Sequence, residues 1–388
     1  MTLTTQPQRK LRMGLVGGGP GSFIGPVHRM AAELDGGIEL VAGAFSQSQE
    51  KSRAAAATYR IDESRAYANY EEMIWAEAKR SDGIDFVAIV TPNHLHLPVA
   101  RAAMEAGLHV MSDKPATANL AEALELREIV ARTNRLYALT FTYTGYPMVR
   151  EARELCRSGA IGHVRKVLVE YLQGWLTQPL EKTGQKQAEW RSDPARSGIG
   201  GCIGDIGVHA FNLLEYVAGQ PVKNLSATLR TMVPGRQLDD DCSAMLVLEN
   251  GAPAILAASQ IAAGERNGLR IRVYGDMGSL EWYQEDPTRL HLRWLDRPDQ
   301  TMHAGTAMLT EAARHATRLP VGHPEGLIEA FANIYRDFAS TAFARLADPN
   351  AQLSSYVCGI DEGVRSMAFI ERAVGSSNAA SAWTELSY

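Results

Sequence analysis

Through the first third of the chain, short apolar runs alternate with stretches whose apolar residues recur at helical spacing. Residues 11–16 form the first run. A glycine-rich stretch follows (Gly17-Gly18-Gly19-Pro20-Gly21-Ser22-Phe23-Ile24-Gly25), and a helical pattern opens near Val27. By the same reading 40–45 is a second strand, 50–58 a helix, 86–90 a buried strand, 97–106 a helix and 137–141 another strand. A further apolar run, Leu108-His109-Val110-Met111, ends close to Asp113-Lys114-Pro115. Repeated strand–helix units imply a parallel sheet, because only a crossover returns the chain to the same end.

Beyond Tyr143 the pattern changes. Residues 147–158 look helical and 164–172 strand-like. Stretches 225–233, 243–249, 254–260, 270–274 and 279–283 follow as strands separated by turns such as Glu249-Asn250-Gly251. Strands joined by tight turns pair antiparallel. The expected fold class is therefore α/β: a dinucleotide-binding domain over 1–143, then an α+β domain over 144–388 with a large open, mostly antiparallel sheet.

Composition narrows the functions available. The chain has 388 residues, 45% of them hydrophobic, which is enough for two domains with substantial cores. A formal net charge of −5 gives no basic face for nucleic acid, and no stretch approaches the roughly 18 apolar residues that span a bilayer. The polar start, Met1 to Lys10, does not read as a secretory signal, so a cytoplasmic protein is expected. Cys156, Cys202, Cys242 and Cys358 lie far apart, with no Cys-x-x-Cys pair to build a disulfide framework or thiolate metal site. His94 and His96 lack a third ligand at suitable spacing, and no metal is expected.

Strand, glycine turn and helix, in that order, suit a dinucleotide. Glycines permit a sharp turn and let a pyrophosphate reach main-chain N–H groups at a helix start, where the macrodipole favours an anion. Gly17, Gly19, Gly21, Phe23 and Ile24 are the candidates. Read as Gly17-x-Gly19-x-x-Ser22 the motif lacks its third glycine, which Gly25 supplies if the turn runs three residues longer. Ligands of parallel sheets lie outside the carboxyl ends of the strands. Thr91-Pro92-Asn93, with His96, and Asp113-Lys114 follow strands directly and are expected to converge with the glycine turn. At the end of the second strand, where an acidic residue ordinarily holds the ribose of NAD, stand Phe45 and Ser46, with Lys51 and Arg53 beyond. Nothing there repels a 2′-phosphate, so either NAD or NADP is expected.

Candidate chemistry in the second half centres on Gly200 to His209, which introduces a helix through Leu213, Leu214 and Val217. Asp205 and His209 are four apart, a spacing that brings side chains to one helix face. An alcohol that gives up hydride must also give up a proton. Histidine titrates in the right range to accept it, with a carboxylate to orient the ring. Trp175, Trp190, Arg191 and Arg196 lie in a polar stretch ahead of this helix and would suit a sugar bearing an anionic group. Tyr143, and His323 in Gly322-His323-Pro324-Glu325-Gly326 before the helical pattern 327–338, are further candidates for substrate contact.

With these motifs in hand, the chain resembles the glucose-fructose oxidoreductase, inositol dehydrogenase and rhizopine-catabolism family, the Gfo/Idh/MocA oxidoreductases, over nearly its full length. The matching residues are Gly14-Leu15-Val16-Gly17-Gly18-Gly19 with Gly25-Pro26-Val27-His28, Thr91-Pro92-Asn93 with His96, Ala106-Gly107-Leu108-His109-Val110 leading to Lys114-Pro115, and Gly201 through His209. The resemblance implies a Rossmann domain, a second domain for substrate binding whose open sheet commonly supports dimers or tetramers, and a nicotinamide cofactor reacting with sugars, polyols or their derivatives. It implies that Lys114 bonds the reacting hydroxyl and helps orient the nicotinamide, that His209 accepts the proton, and that Asp205 assists. The chain departs from the pattern at Asp113, where glutamate is usual, at Asn212, where aspartate is frequent, and at Tyr143 and Tyr146, where asparagine and arginine are more usual.

The activity expected is hydride transfer between nicotinamide and a secondary hydroxyl of a cyclic sugar, glycoside or inositol, with the Lys114 ammonium and the His209 imidazole meeting over one carbinol. The alternative is redox-neutral glycoside hydrolysis: oxidation at C3, elimination, hydration and re-reduction. Some relatives work this way, including enzymes acting on sulfonated sugars such as a sulfoquinovoside. There Tyr143 or His323 would add acid–base groups, and Arg191 or Arg196 an anion partner. A non-catalytic NAD(P) sensor fits less well with Lys114, Asp205 and His209 all present. The partners expected are a carbohydrate substrate and further copies of the chain, as a homodimer or homotetramer.

Overall fold

A computed structural model describes residues 9–388. Two compact units make up the chain, one taking the residues up to Thr142 together with Leu327–Val364, the other Tyr143–Gly326 with Arg365–Tyr388. A single cut into 1–143 and 144–388 therefore misassigns a segment, because the chain returns to the first unit through the helix Leu327–Ala344. Apolar burial explains the return. Phe331, Ile334, Tyr335 and Phe338 join Leu11, Met13, Leu15, Val27, Phe86 and Ala88 in one core, and the Phe338 ring meets that of Phe86 edge-on at 5.1 Å.

The first unit holds β1 (Leu11–Gly17), β2 (Ile38–Ala44), β3 (Phe86–Val90), β4 (His109–Ser112) and β5 (Tyr137–Leu139), in the order β2-β1-β3-β4-β5. Every pairing is parallel. Burial on both faces accounts for the uninterrupted apolar run of β3, in which Phe86, Val87, Ala88 and Ile89 are fully covered. Two helices absent from the periodicity reading, Tyr70–Glu77 and Leu120–Thr133, begin at Asn69 and Asn119. Each asparagine side chain accepts from the backbone N–H of the glutamate three residues on, Glu72 or Glu122.

The second unit carries a nine-stranded sheet of β6 (Val164–Leu172), β7 (Val222–Arg230), β8 (Asp241–Leu248), β9 (Pro253–Ser259), β10 (Gly268–Gly275), β11 (Gly278–Tyr283), β12 (Arg289–Trp294), β13 (Gln300–His303) and β14 (Thr384–Glu385). The order is β13-β12-β11-β10-β6-β9-β8-β7-β14. All neighbours are antiparallel except β6 and β9, so the sheet is mixed and mostly antiparallel, as the strand pattern predicts. The helices Pro147–Arg157 and Val208–Ala218 cover one face. Trp282 is fully buried beneath them, 5.3 Å from the Tyr146 ring. Among the described residues no helix is long and apolar enough to cross a membrane.

Candidate active site

In the first unit the glycine turn, Thr91-Pro92-Asn93 and Asp113-Lys114-Pro115 leave the carboxyl ends of β1, β3 and β4, which are neighbours in the sheet. The strand order reverses direction between β1 and β3, where parallel sheets open a ligand crevice. Gly17, Gly18 and Gly21 adopt φ of 91°, 74° and 82°, a region that side chains disfavour. A Cβ on Gly19 would stand 2.4 Å from the Phe45 carbonyl oxygen, and one on Gly25 would stand 2.6 Å from Gly18 Cα. Gly25 therefore takes the close-packing role of the missing third glycine, one residue into the helix Ile24–Glu33.

That helix begins at Phe23 without a side-chain cap from the residue itself. Ser22 Oγ accepts from Gly25 N at 3.3 Å. Main-chain N–H groups of a glycine turn leading into a helix start fit the pyrophosphate of a dinucleotide. Phe45 is turned into the core, where its ring stacks on Tyr59 at 4.7 Å, and the Tyr59 hydroxyl donates to the Gly18 carbonyl at 2.6 Å. Tyr59 thus ties the end of β2 to the glycine turn, a role that periodicity alone does not reveal. Ser46 is half-buried and accepts from Ser48 N at 3.3 Å, Lys51 is exposed, and Arg53 faces Glu63 at 3.8 Å.

The Lys114 loop is held from two sides. Asp113 Oδ1 accepts from Lys114 N at 2.9 Å and from Thr140 Oγ1 at 3.0 Å, so the carboxylate braces the lysine's own backbone. His96 is buried, with Nδ1 2.7 Å from the Pro115 carbonyl oxygen and Nε2 2.9 Å from that of Thr91. Burial pushes its pKa down, while those two carbonyls pull it back. The ring lies between two strand-end loops, and its one N–H in the neutral form donates to one of those carbonyls, so His96 serves the crevice by spacing the loops. His94, two residues earlier, is exposed, and the pair does not present two ligands to one metal.

In the second unit, Asp205 sits in a wide π-type turn, Ile203–Gly207, that feeds the helix Val208–Ala218. The turn is pinned at its start by Asp239. The carboxylate accepts from Gly201 N at 2.6 Å and Ile203 N at 2.8 Å, and the Asp239 carbonyl from Cys202 N at 2.8 Å. Burial raises the Asp239 pKa to about 6 against the lowering effect of those N–H groups. Asp205 Oδ2 accepts from Arg191 Nε at 3.1 Å and from Gln260 Nε2 at 2.8 Å. His209 lies one turn on, its ring edge-to-face with Tyr143 at 5.0 Å and 6.2 Å from Tyr171.

The remaining sequence candidates divide. Arg191 is no free anion partner, since its guanidinium bonds Asp205, bonds Gln187 Oε1 at 2.6 Å and lies over the Trp190 ring at 4.3 Å. Trp190 joins it by donating from Nε1 to Gln187 at 3.3 Å. Tyr143 is buried, with its hydroxyl bonded to that of Tyr171, rather than open to solvent. Trp175 is half-buried, while Arg196 and His323 are exposed. Glu325, near His323, is buried instead as a loop fastener, accepting from Arg318 N at 2.6 Å and Leu319 N at 2.7 Å. Sequence reasoning missed Gln260, Tyr171, Asn267 and Asp239. Tyr171 and Gln260 lay within stretches read only as strand, and the acidic run Asp239-Asp240-Asp241 was the one local signal.

Known proteins share both segments of the chain. Residues 11–141 match the model of the oxidoreductase family with an NAD-binding Rossmann fold, and 149–281 match the GFO/IDH/MocA C-terminal domain. The uncharacterised oxidoreductase YfiI of Bacillus subtilis is 34% identical over 97% of both chains. Levoglucosan dehydrogenase of Pseudarthrobacter phenanthrenivorans is 26% identical over 97% of this chain and 98% of its own. A crystal structure of an inositol dehydrogenase homologue from Azotobacter vinelandii, complexed with NADH and myo-inositol, is 34% identical with a TM-score of 0.90 over 98% of each chain. An oxidoreductase structure from Sinorhizobium meliloti is 42% identical with a TM-score of 0.87, covering 97% of this chain and 100% of that one. The first unit is an NAD-binding Rossmann domain, and the chain is an enzyme that belongs to the Gfo/Idh/MocA family of oxidoreductases.

Proposed function

We propose that this enzyme oxidises a secondary hydroxyl of a cyclic polyol or sugar, with hydride passing to NAD. The observation that carries the reading is the brace on Lys114: Asp113 and Thr140 fix the lysine's backbone at the carboxyl end of β4, two strands from the glycine turn. The relatives support the substrate class, one structure being complexed with myo-inositol and one curated relative being a levoglucosan dehydrogenase. Bound nicotinamide supplies the hydride acceptor. Lys114 donates to the reacting oxygen and stabilises the charge that develops there. His209 takes the hydroxyl proton. Asp205, anchored by Arg191 and Gln260, assists that histidine. Ser46 and Lys51 oppose no 2′-phosphate, so NADP is a second acceptor to be assayed.

The redox-neutral glycosidase scheme has less support. Of the acid–base groups and anion partners offered for it, Tyr143 and Arg191 are engaged by neighbouring side chains, which leaves it the exposed His323 and Arg196. Incubation with NAD or NADP and a panel of inositols, monosaccharides and glycosides separates the two. Accumulating reduced cofactor supports dehydrogenation; released aglycone without net reduction overturns it.

The same reading includes self-association. Across the uncovered face of the second sheet, Met245 pairs with Ile255 and Ile255 with Leu168, and Met245 and Ile255 are 55% and 45% exposed. Arg272 and Glu281 continue the row in register. An apolar centre beside a charged ladder suits a two-fold contact with a second copy. Light scattering on Met245→Glu should report a smaller species than the parent; an unchanged mass would count against this face.

A further inference from the structure

Tyr143 is buried with its hydroxyl bonded to that of Tyr171, so the hydroxyl is not available to a substrate. Donor and acceptor bookkeeping settles where its proton goes. Asn267 Oδ1 can only accept, and it takes the Tyr171 O–H at 2.7 Å and the Gln173 Nε2–H at 2.7 Å. The Tyr171 proton is thereby spent. Between the two phenol oxygens the shared proton must belong to Tyr143, which donates to Tyr171. Asn267 Nδ2 then returns a bond to Tyr143 at 3.4 Å. Three side chains from separate segments close a ring in which each donates once within the ring.

Both tyrosines are buried, at 7% and 3% exposure, so each phenol depends on its partners in the ring, while Asn267 is half-buried. What the ring presents outward is aromatic surface, and that surface meets His209: Tyr143 edge-on at 83° and Tyr171 at 61°. We propose that Tyr143, Tyr171 and Asn267 form a locked hydrogen-bonded ring that fixes the orientation of the His209 imidazole for proton transfer. Tyr143 and Tyr171 are then positioning residues, not proton carriers. The inference rests on His209 being the proton acceptor and adds how its ring is aimed.

The test is a cycle of Tyr143→Phe, Tyr171→Phe and the double variant, with kcat and both KM values measured. Phenylalanine keeps the shape and removes only the ring's bonds. Each single variant should lower kcat roughly tenfold, within the hundredfold that a misplacement of about 1 Å can cost, while the KM for NAD stays unchanged. The double variant should be no worse than the worse single, because either change opens the same ring. Multiplying effects, unaltered kcat, or loss of all turnover in Tyr143→Phe with Tyr171→Phe unaffected would overturn the proposal. Nitrogen-15 histidine spectra give a readout independent of turnover. The His209 resonances, assigned from a His209→Gln variant, should be sharp in the parent and broadened or doubled in Tyr171→Phe; identical spectra would also overturn it. Near-normal turnover in His209→Gln would instead defeat the proton-acceptor reading, and the spectra would still judge the ring.

Discussion

The first unit builds its functional surface out of main chain, the second out of side chains. Around β1, β3 and β4 the key features are glycine φ values, helix-start N–H groups and carbonyls held by His96. Around Asp205 and His209 they are the termini of Arg191, Gln260, Tyr171 and Asn267, drawn from segments up to 96 residues apart. A surface made of backbone tolerates almost any neighbour that leaves the turn free. A surface made of side chains is tuned by each of its members, so substrate choice should be written in the second unit.

Four changes probe that contrast. The largest effect is expected at Lys114, the side chain of the first unit proposed to meet the reacting oxygen: Lys114→Ala should cut kcat by about 10²–10⁴, with NAD binding measured by fluorescence titration left intact. Near-normal turnover would remove Lys114 from the chemistry. Next, Gly19→Ala drives a methyl into the Phe45 carbonyl. Strain of about 2 kcal/mol corresponds to a roughly thirtyfold loss of NAD affinity, with substrate preference unchanged; unchanged affinity would mean the turn does not meet the cofactor.

In the second unit the order reverses. Arg191→Met removes the charged donor to Asp205, and about tenfold should be lost from kcat while the Kd for NAD holds. A rise in NAD Kd instead would blur the division between the units.

The smallest effect concerns Asp239. Its pKa is raised to about 6 by burial, above the unfolded value near 4. A group with a raised folded pKa binds its proton more tightly when folded. Its contribution to stability is full below about pH 4 and is lost as pH rises through about 6. Denaturation midpoints between pH 4 and 7 should therefore slope downward from this group in the parent and lose that component in Asp239→Asn. Parallel slopes would mean the carboxyl titrates normally.

The contrast also explains what could be read in advance. All five strands of the parallel sheet are legible as short, mostly apolar segments, unbroken in β3 where both faces are buried and interrupted by Arg12 in β1 and Glu39 in β2, and the glycine turn announces itself by composition. Lys114, Asp205 and His209 stand out by spacing. The return of Leu327–Ala344 to the first core is not legible, since an apolar helix face does not name its partner. Strand β13, at the sheet edge, escapes because Gln300–His303 is short and polar, and β12 escapes although Leu290 and Leu292 alternate with polar residues, because six residues carry little period. Arg191 reads as an anion receptor until the fold brings Asp205 to it across 14 residues. Hydrogen-bond partners far apart in sequence leave no local period.

Label transfer tests the central claim most directly. The enzyme would be incubated with NAD and a panel of inositols and monosaccharides deuterated at their carbinol carbons, and the reduced cofactor analysed by mass spectrometry. Secondary-alcohol oxidation predicts deuterium on the nicotinamide ring, matched by a ketone in the polyol. Reduced cofactor without the label, or no reduction with any member of the panel, would contradict it.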